Sequence, residues 1–410
     1  MRTLDEARAL DAADPLRGMR DAFDLPDGEI YLDGNSLGAL PRATVRRMAE
    51  TVQQEWGRGL IRSWNKADWI GAPARVGGRI AQLIGAAPHE VVVADSTSVN
   101  LFKLLVAGMQ ARPGRRVILS EPGNFPTDLY VAQGVAATLV GCEVRTAPRD
   151  TIVDAIDEDV GVLMLTHVHY QSGARFDMAA VTRAAQARGA LVLWDLSHSA
   201  GAVPVDLTAA NADLAVGCGY KYLNGGPGAP AFLYVAERHQ AGLRSPLSGW
   251  MGHAAPFDFG DDYAPGAGIG RFLCGTPPIL ALAALEEGVE LMLSADRDAL
   301  FAKGQALCSA FIDLVEAQCD GLGLTLVTPR DPEVRGSHVS FRHAQGWPIM
   351  QALIARGVIG DFRAPDVLRF GFTPLYTGFA DVWNAVDALH DVLATRAWDR
   401  PEFHARAAVT

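Results

Sequence analysis

The sequence predicts an α/β protein with a large domain built on a mostly parallel sheet, helices on both of its faces, and a smaller α+β domain. Two observations predict it. From about residue 90, short apolar runs alternate with helical stretches, and strands apolar on both faces belong to parallel sheets covered on both sides. Beyond Pro278 the order changes to long helical segments around isolated strands.

Taken in order, Pro41 precedes Val45, Met48, Val52 and Trp56 at helical spacing, which predicts a helix over 42–56. Apolar runs at 91–94, 117–120, 160–166, 190–196, 214–218 and 231–235 predict buried strands. Helical stretches over 99–109 and 178–188 separate several of them. Further helices are expected over 279–293, 297–317, 348–356 and 379–394, with strands at 338–341 and 367–372. The expected division is an N-terminal segment 1–55 packing with the small domain, a large domain 56–278 and a small domain 279–410.

Composition narrows the class of function. Hydrophobic residues make up 49% of the 410 and charged residues 20%, ordinary for a globular chain that can bury a core without staples. A formal charge of −11 without a Lys/Arg run argues against general nucleic-acid binding. The 5 cysteines are scattered and form no CxxC pair, so neither a disulfide framework nor a zinc ribbon is indicated. The charged N-terminus lacks a signal-peptide core, and no run is apolar for about 18 residues, so the expected compartment is the cytoplasm.

Ligands of open α/β sheets sit outside the carboxyl ends of the strands. Lys221 lies just past the apolar run 214–218 and is followed by Gly225, Gly226, Pro227 and Gly228, which leave little bulk beside it. A lysine there can be desolvated and act as an imine-forming nucleophile, although a lone loop lysine reads first as a surface residue, and only its neighbours in the sequence change that. Asp195 closes the run 190–196, where it could pair with a ligand cation such as a pyridinium nitrogen or cap a following helix. His198 stands three positions on, placed to orient that acid or to lie near a ring. Thr97 and Ser98 open a helix after the first strand, where hydroxyls and free N–H groups bind phosphate or simply cap. After the second strand, Phe125 offers a stacking platform and Asp128 a second acid, or an aromatic–proline turn. Imine former, ring-nitrogen partner, platform and phosphate cup thus all fall at carboxyl ends of expected strands. Their coincidence is hard to attribute to packing.

Asp195-Leu-Ser-His198 together with Gly219-Tyr-Lys221-Tyr-Leu-Asn224 is similar to the cofactor-binding core of the kynureninase family. That family lies in the class V aminotransferase branch of the aspartate-aminotransferase-like pyridoxal-phosphate enzymes. Tyr31–Gly38, Asn124–Asp128, Leu247–His253, Gly275–Leu280 and Leu368-Arg369 match too, so the resemblance spans nearly the whole chain. It implies the type I transferase fold of pyridoxal-phosphate enzymes, with a seven-stranded sheet, in a homodimer with shared active sites.

Position by position, the resemblance implies that Lys221 carries pyridoxal 5'-phosphate as a Schiff base. Asp195 would meet the pyridine nitrogen, with His198 and Asp128 beside it; Phe125 would stack on the ring; and Thr166 would touch the cofactor. Thr97, Ser98 and Tyr220 would meet the phosphate, joined by Trp250 and Thr276 across a dimer interface. Arg369 would grip the substrate carboxylate, and Asn35, Ser36 and Trp64 would form the substrate wall. The implied reaction is hydrolysis of a carbon–carbon bond, L-kynurenine giving anthranilate and L-alanine in tryptophan degradation. Lys221 would be the base and Tyr220 a helper in proton movement. Trp64 and Thr276 look like the bacterial type, which favours kynurenine over its 3-hydroxy derivative.

Other readings are weaker. The first alternative is another enzyme of the same superfamily, a cysteine desulfurase or an aminotransferase; a desulfurase needs a mobile cysteine, for which only Cys274 is near the expected site. The run Gly266-Ala-Gly268-Ile-Gly270 lacks the third glycine of a dinucleotide fingerprint, and no P-loop occurs. His167 and His169 would share one face if the strand continued through them, but they lack a third ligand at metal spacing, so no metal is expected.

Overall fold

A computed structural model describes residues 1–406. They form two compact units: the larger comprises residues 44–167 and 176–290, the smaller residues 1–43, 168–175 and the chain from Leu291 onward.

The larger unit is organised by a seven-stranded sheet. Its strands are β1 (Val91–Val93), β2 (Val117–Ser120), β3 (Glu143–Thr146), β4 (Val160–Thr166), β5 (Leu191–Asp195), β6 (Leu214–Gly217) and β7 (Phe232–Val235). Across the sheet they run β1-β7-β6-β5-β4-β2-β3. β2 to β6 pair in parallel, while β7 is antiparallel to both its neighbours, so β1 to β6 all end at one edge. Six strands coincide with the apolar runs. β3 has no such run: it is an edge strand, exposed or half-buried along its length, with Glu143 and Arg145 on its surface. An edge needs no continuous apolar text.

Helix α1 (Thr97–Gln110) follows β1 and is buried along most of its length. It packs with Val92, Ile118, Val162, Leu193, Leu214 and Leu233 into the core of the unit. Helices α2 (Pro126–Thr138) and α3 (Met178–Ala187) follow β2 and β4; Pro126 opens α2, where its missing N–H costs nothing. The helix expected over 42–56 starts at Arg42 but changes at Thr51 to a π-helical segment ending at Gly59. Its apolar stripe faces outward, with Val45, Val52, Trp56, Leu60 and Ile61 all exposed.

The smaller unit has an antiparallel sheet of β8 (Thr325–Leu326), β9 (His338–Arg342), β10 (Asp361–Arg363) and β11 (Val367–Gly371), in the order β8-β9-β11-β10. Helices α4 (Arg297–Gln318), α5 (Gly346–Ile354) and α6 (Phe379–Ala394) cover it around a core that includes Leu32, Phe311, Phe341, Leu353, Phe370 and Leu389. The early segment Ile30–Tyr31 pairs in parallel with Val358–Ile359, which brings Asp33 to Ser36 to this unit.

Candidate active site

The larger unit gathers its polar side chains at the carboxyl edge of the sheet. Asp195, the last residue of β5, is buried and lies in register between Thr166 at the end of β4 and Val216 in β6. Asp195 caps no helix. Its Oδ1 accepts from the Ser197 N–H at 2.6 Å, closing a tight turn. Asp128, in the first turn of α2, is also buried. Burial, then the charge of Asp195 and a hydrogen bond to it, push the Asp128 carboxyl well above the carboxylate range, outweighing Thr166 and Lys221, which pull it down. Two carboxylates so close favour sharing one proton.

Thr166 Oγ1 lies 2.5 Å from Asn124 Oδ1 and 3.2 Å from Asp128 Oδ2. Asn124 also donates to Ser120 Oγ at 3.2 Å and accepts from the Phe125 N–H at 2.7 Å. It was quoted only as part of a motif, yet it ties the ends of β2 and β4 to the turn that carries Phe125.

Lys221 lies in a tight loop after β6, where Asn224 N donates to Lys221 O and Gly225 N to Gly219 O, each at 2.9 Å. A side chain at Gly219 would come within 2.5 Å of Pro230 O, so the loop requires glycine there. Lys221 Nζ is 3.0 Å from His198 Nε2, 5.7 Å from the centre of the Phe125 ring and 5.8 Å from that of Tyr220. His198 therefore faces the amine. The Tyr220 hydroxyl is pushed far up by burial, then by Cys218 and Asp195, so it stays a proton donor at neutral pH.

At the start of α1, Ser96 is the cap, accepting from Val99 N at 3.4 Å. This frees the next residue: Thr97 Oγ1 is buried and has no hydrogen-bond partner among the described residues. Ser98 follows it in the first turn. Asp95, Ser96, Tyr220, Cys274 and Thr276 line one cleft of about 430 Å³. Trp250 does not line it; it is 40% exposed, packs edge-on against Phe257 and lines a second cleft with Phe259 and Tyr263. Trp64 sits edge-on against Trp69 at 5.9 Å and shares no hydrogen bond or ring contact with Lys221 among the described residues. β4 ends at Thr166, so His167 and His169 share no strand face: His167 Nδ1 meets Ser199 Oγ at 2.9 Å, and His169 Nδ1 accepts from the N–H groups of Gln171 and Ser172.

The smaller unit holds a second constellation. Arg369 on β11 stands directly across from Asp361 on β10, and its side chain is 1% exposed. Its Nε donates to Asp361 Oδ1 at 2.8 Å, Nη2 to Asp361 Oδ2 and, at 2.8 Å, to Ser36 Oγ, and Nη1 to Tyr170 O at 2.7 Å. With its amide oxygen turned inward, Asn35 accepts from Nη2 and Nε at 3.1 and 2.9 Å. Arg363 Nη2 adds donations to Asp361 Oδ2 at 2.5 Å and Ser36 Oγ at 3.2 Å. Burial pushes the Asp361 carboxyl up, but the two guanidiniums outweigh it and hold it low. Asp33 nearby is pushed up to about 7, by burial first and then by the charge of Asp361.

Asp361 and Arg363 carried no role in the sequence reading. The signal that points to them is the alternation Asp361-Phe-Arg363 in a strand paired with that of Arg369, and it needs the register to be seen.

Comparison with known proteins places this geometry in a family. Residues 300–389 match the model of the kynureninase C-terminal domain. Over 417 residues, with each chain covered in full, the sequence is 56% identical to a kynureninase of Burkholderia mallei, and over 416 it is 51% identical to that of Pseudomonas fluorescens. Among solved structures, the apo cysteine desulfurase of Thermococcus onnurineus NA1 shares the fold, with a TM-score of 0.80 at 19% identity, covering 92% of this chain and 98% of that one. The Escherichia coli cysteine desulfurase CsdA gives 0.78 at 20% identity, covering 93% and 98%. Identity above one half along its full length means that the chain belongs to the kynureninase family.

Proposed function

We propose that the protein is a pyridoxal-phosphate-dependent hydrolase that cleaves L-kynurenine to anthranilate and L-alanine. The observation that carries this reading is the group at the carboxyl edge of the sheet: an amine 3.0 Å from His198 and 5.7 Å from the Phe125 ring, with a buried carboxylate pair at the neighbouring strand end.

The residues present fit the cofactor. Asp195 and Asp128 form a buried pair whose mutual repulsion a pyridinium N–H would relieve. The orphaned Thr97 hydroxyl, at the N-terminus of a 14-residue helix, suits a phosphate oxygen. Phe125 and the amine of Lys221 flank the space a flat ring needs. Ser98, Tyr220 and Thr276 supply further phosphate contacts, and Trp250 serves the site of a second copy.

Pyridoxal phosphate, when bound there, would supply an electron-withdrawing ring that makes the substrate bonds at Cα and Cβ breakable. The chain's own residues do the rest. Lys221 would hold the cofactor through its amine and serve as the base for the substrate Cα proton. Asp195 would hold the protonated ring nitrogen, with Asp128 beside it. Tyr220, a proton donor at neutral pH, stands near the amine to assist proton return. Water adds to the γ-carbonyl, the Cβ–Cγ bond breaks, the Cγ fragment leaves as anthranilate, and the three-carbon fragment takes a proton and leaves as L-alanine. In the smaller unit the constellation of Asn35, Ser36 and Arg369 receives the α-carboxylate, and Trp64 walls the aromatic end.

Cys274 in the cleft keeps a desulfurase as the second reading. One experiment separates the two. The purified protein is expected to be yellow, borohydride to fix the cofactor on Lys221, and kynurenine to release fluorescent anthranilate faster than 3-hydroxykynurenine releases its product. A colourless protein overturns the cofactor assignment. Sulfide release from cysteine without anthranilate from kynurenine favours the desulfurase.

We read the physiological setting as cytoplasmic tryptophan degradation by a homodimer. No helix among the described residues is long and apolar enough to cross a membrane. The outward stripe of Val52, Trp56, Leu60 and Ile61 offers a second copy an apolar face.

A further inference from the structure

Arg369 has little left to offer an incoming carboxylate. A guanidinium has five N–H donors, and bidentate recognition uses two parallel ones. On Arg369 the Nε–Nη2 edge is filled by Asp361, the other Nη2 hydrogen goes to Ser36 and one Nη1 hydrogen to Tyr170 O. Five less four leaves one donor, on a side chain that is 1% exposed.

Arg363 shows the complementary pattern. Its Nη2 serves Asp361 and Ser36, while Nε is buried with no acceptor and Nη1 makes no hydrogen bond among the described residues. Five less two leaves three donors, on a side chain 35% exposed. A buried guanidinium N–H without an acceptor is costly, and a bound anion would remove that cost. Burial, and then the like charge of Arg369, disfavour the Arg363 cation, so an added negative charge is welcome there.

We propose that the substrate α-carboxylate is received by two guanidiniums, Arg363 as well as Arg369, with Asp361 as the positioning residue that ties them together. This rests on the kynurenine reading above. Asp361 accepts from both arginines and from Ser36 Oγ at 2.9 Å, so it fixes which donors remain free. Arg369 acts largely as scaffold and supplies one contact, and Arg363 supplies single N–H contacts from Nε and Nη1, because both of its bidentate edges include the occupied Nη2. Removing Arg363 still leaves Asp361 held by Arg369 and Ser36, so the cluster keeps its internal partners.

The test compares kynurenine with the amine that lacks only its α-carboxylate. The Michaelis constant of the first and the competitive inhibition constant of the second are measured for wild type, Arg363→Met and Arg363→Lys, with thermal unfolding as a check on folding. Wild type is expected to favour the carboxylated compound. Arg363→Met should narrow that gap by about tenfold or more, leaving the constant for the amine and kcat within about threefold, because only a charge-assisted contact is lost. Arg363→Lys keeps the charge without the guanidinium N–H groups at Nε and Nη1 and should narrow it less. Equal weakening of both compounds, or an unchanged gap, overturns the proposal. Should the Met variant fail to fold, a Lys variant with the wild-type gap overturns it and a narrowed gap supports it. A wild type that releases no anthranilate overturns the function reading itself, together with this inference.

Discussion

At the scale of single residues, the proposed site gives the two buried acids of the larger unit different tasks although they share one environment. Asp195 ends a strand and would meet the ring nitrogen, whereas burial and the Asp195 charge push the Asp128 carboxyl well above the carboxylate range. Asn imitates a protonated carboxyl but cannot hold a pyridinium proton. Asp195→Asn should therefore lower kcat by about a hundredfold or more, and Asp128→Asn by about tenfold or less. Steady-state anthranilate release checks this, and similar losses in both variants would contradict the division of labour. Asp33 gives a pH-dependent counterpart. Its folded value of about 7 lies above the ordinary 3.8, so between these values the folded chain keeps a proton that the unfolded chain has lost. Its contribution to stability is whole below the ordinary value and is lost as pH rises through about 7. Asp33→Asn removes that loss. Its stability relative to wild type should improve by on the order of 2 kcal/mol between about pH 5 and pH 8, measured by urea unfolding.

At the scale of elements, the Lys221 loop is shaped from below. Gly288 lies in the helix Ile279–Ser294, where an added Cβ would press into the Leu223 carbonyl oxygen and lie 2.8 Å from Asn224 C and O. Backbone cannot swing aside as a flexible side chain can. Gly288→Ala should destabilise by roughly 1–3 kcal/mol, as overpacking does, and shift the turn that carries the amine. Weaker retention of the cofactor chromophore on dialysis, alongside a lower unfolding midpoint, is the expected signature. A lower midpoint with full retention would show that the turn tolerates the push.

At the scale of the whole molecule, the outward stripe along 45–61 matters most. A helix normally turns such a stripe to its own core, and here Trp56 is 56% and Ile61 76% exposed. If a second copy covers it, Trp56→Glu with Ile61→Glu should convert a dimer to a monomer in light scattering. Activity should fall as well, because Trp250 then serves no neighbour. A wild-type chain that is already monomeric overturns the homodimer.

How much was legible follows from the range of each signal. Six sheet strands and the polar residues at their ends could be read because each strand is a local apolar run, and a strand end next to glycines is also local. Asp195 and Lys221 belong to this class. The strand Glu143–Thr146 escaped because an edge carries alternating and charged residues, and the helix expected over 42–56 carries no local mark of which way its stripe faces.

Residue order alone thus determined the α/β alternation, the amine, the acid and the hydroxyls that open the helix after the first strand, since period and punctuation are properties of neighbouring residues. Only the tertiary structure decided that Asp361 lies across from Arg369, that His198 meets Lys221, and that Arg363 keeps its donors free. Those facts depend on strand register and on burial, which bring together residues that the chain keeps far apart.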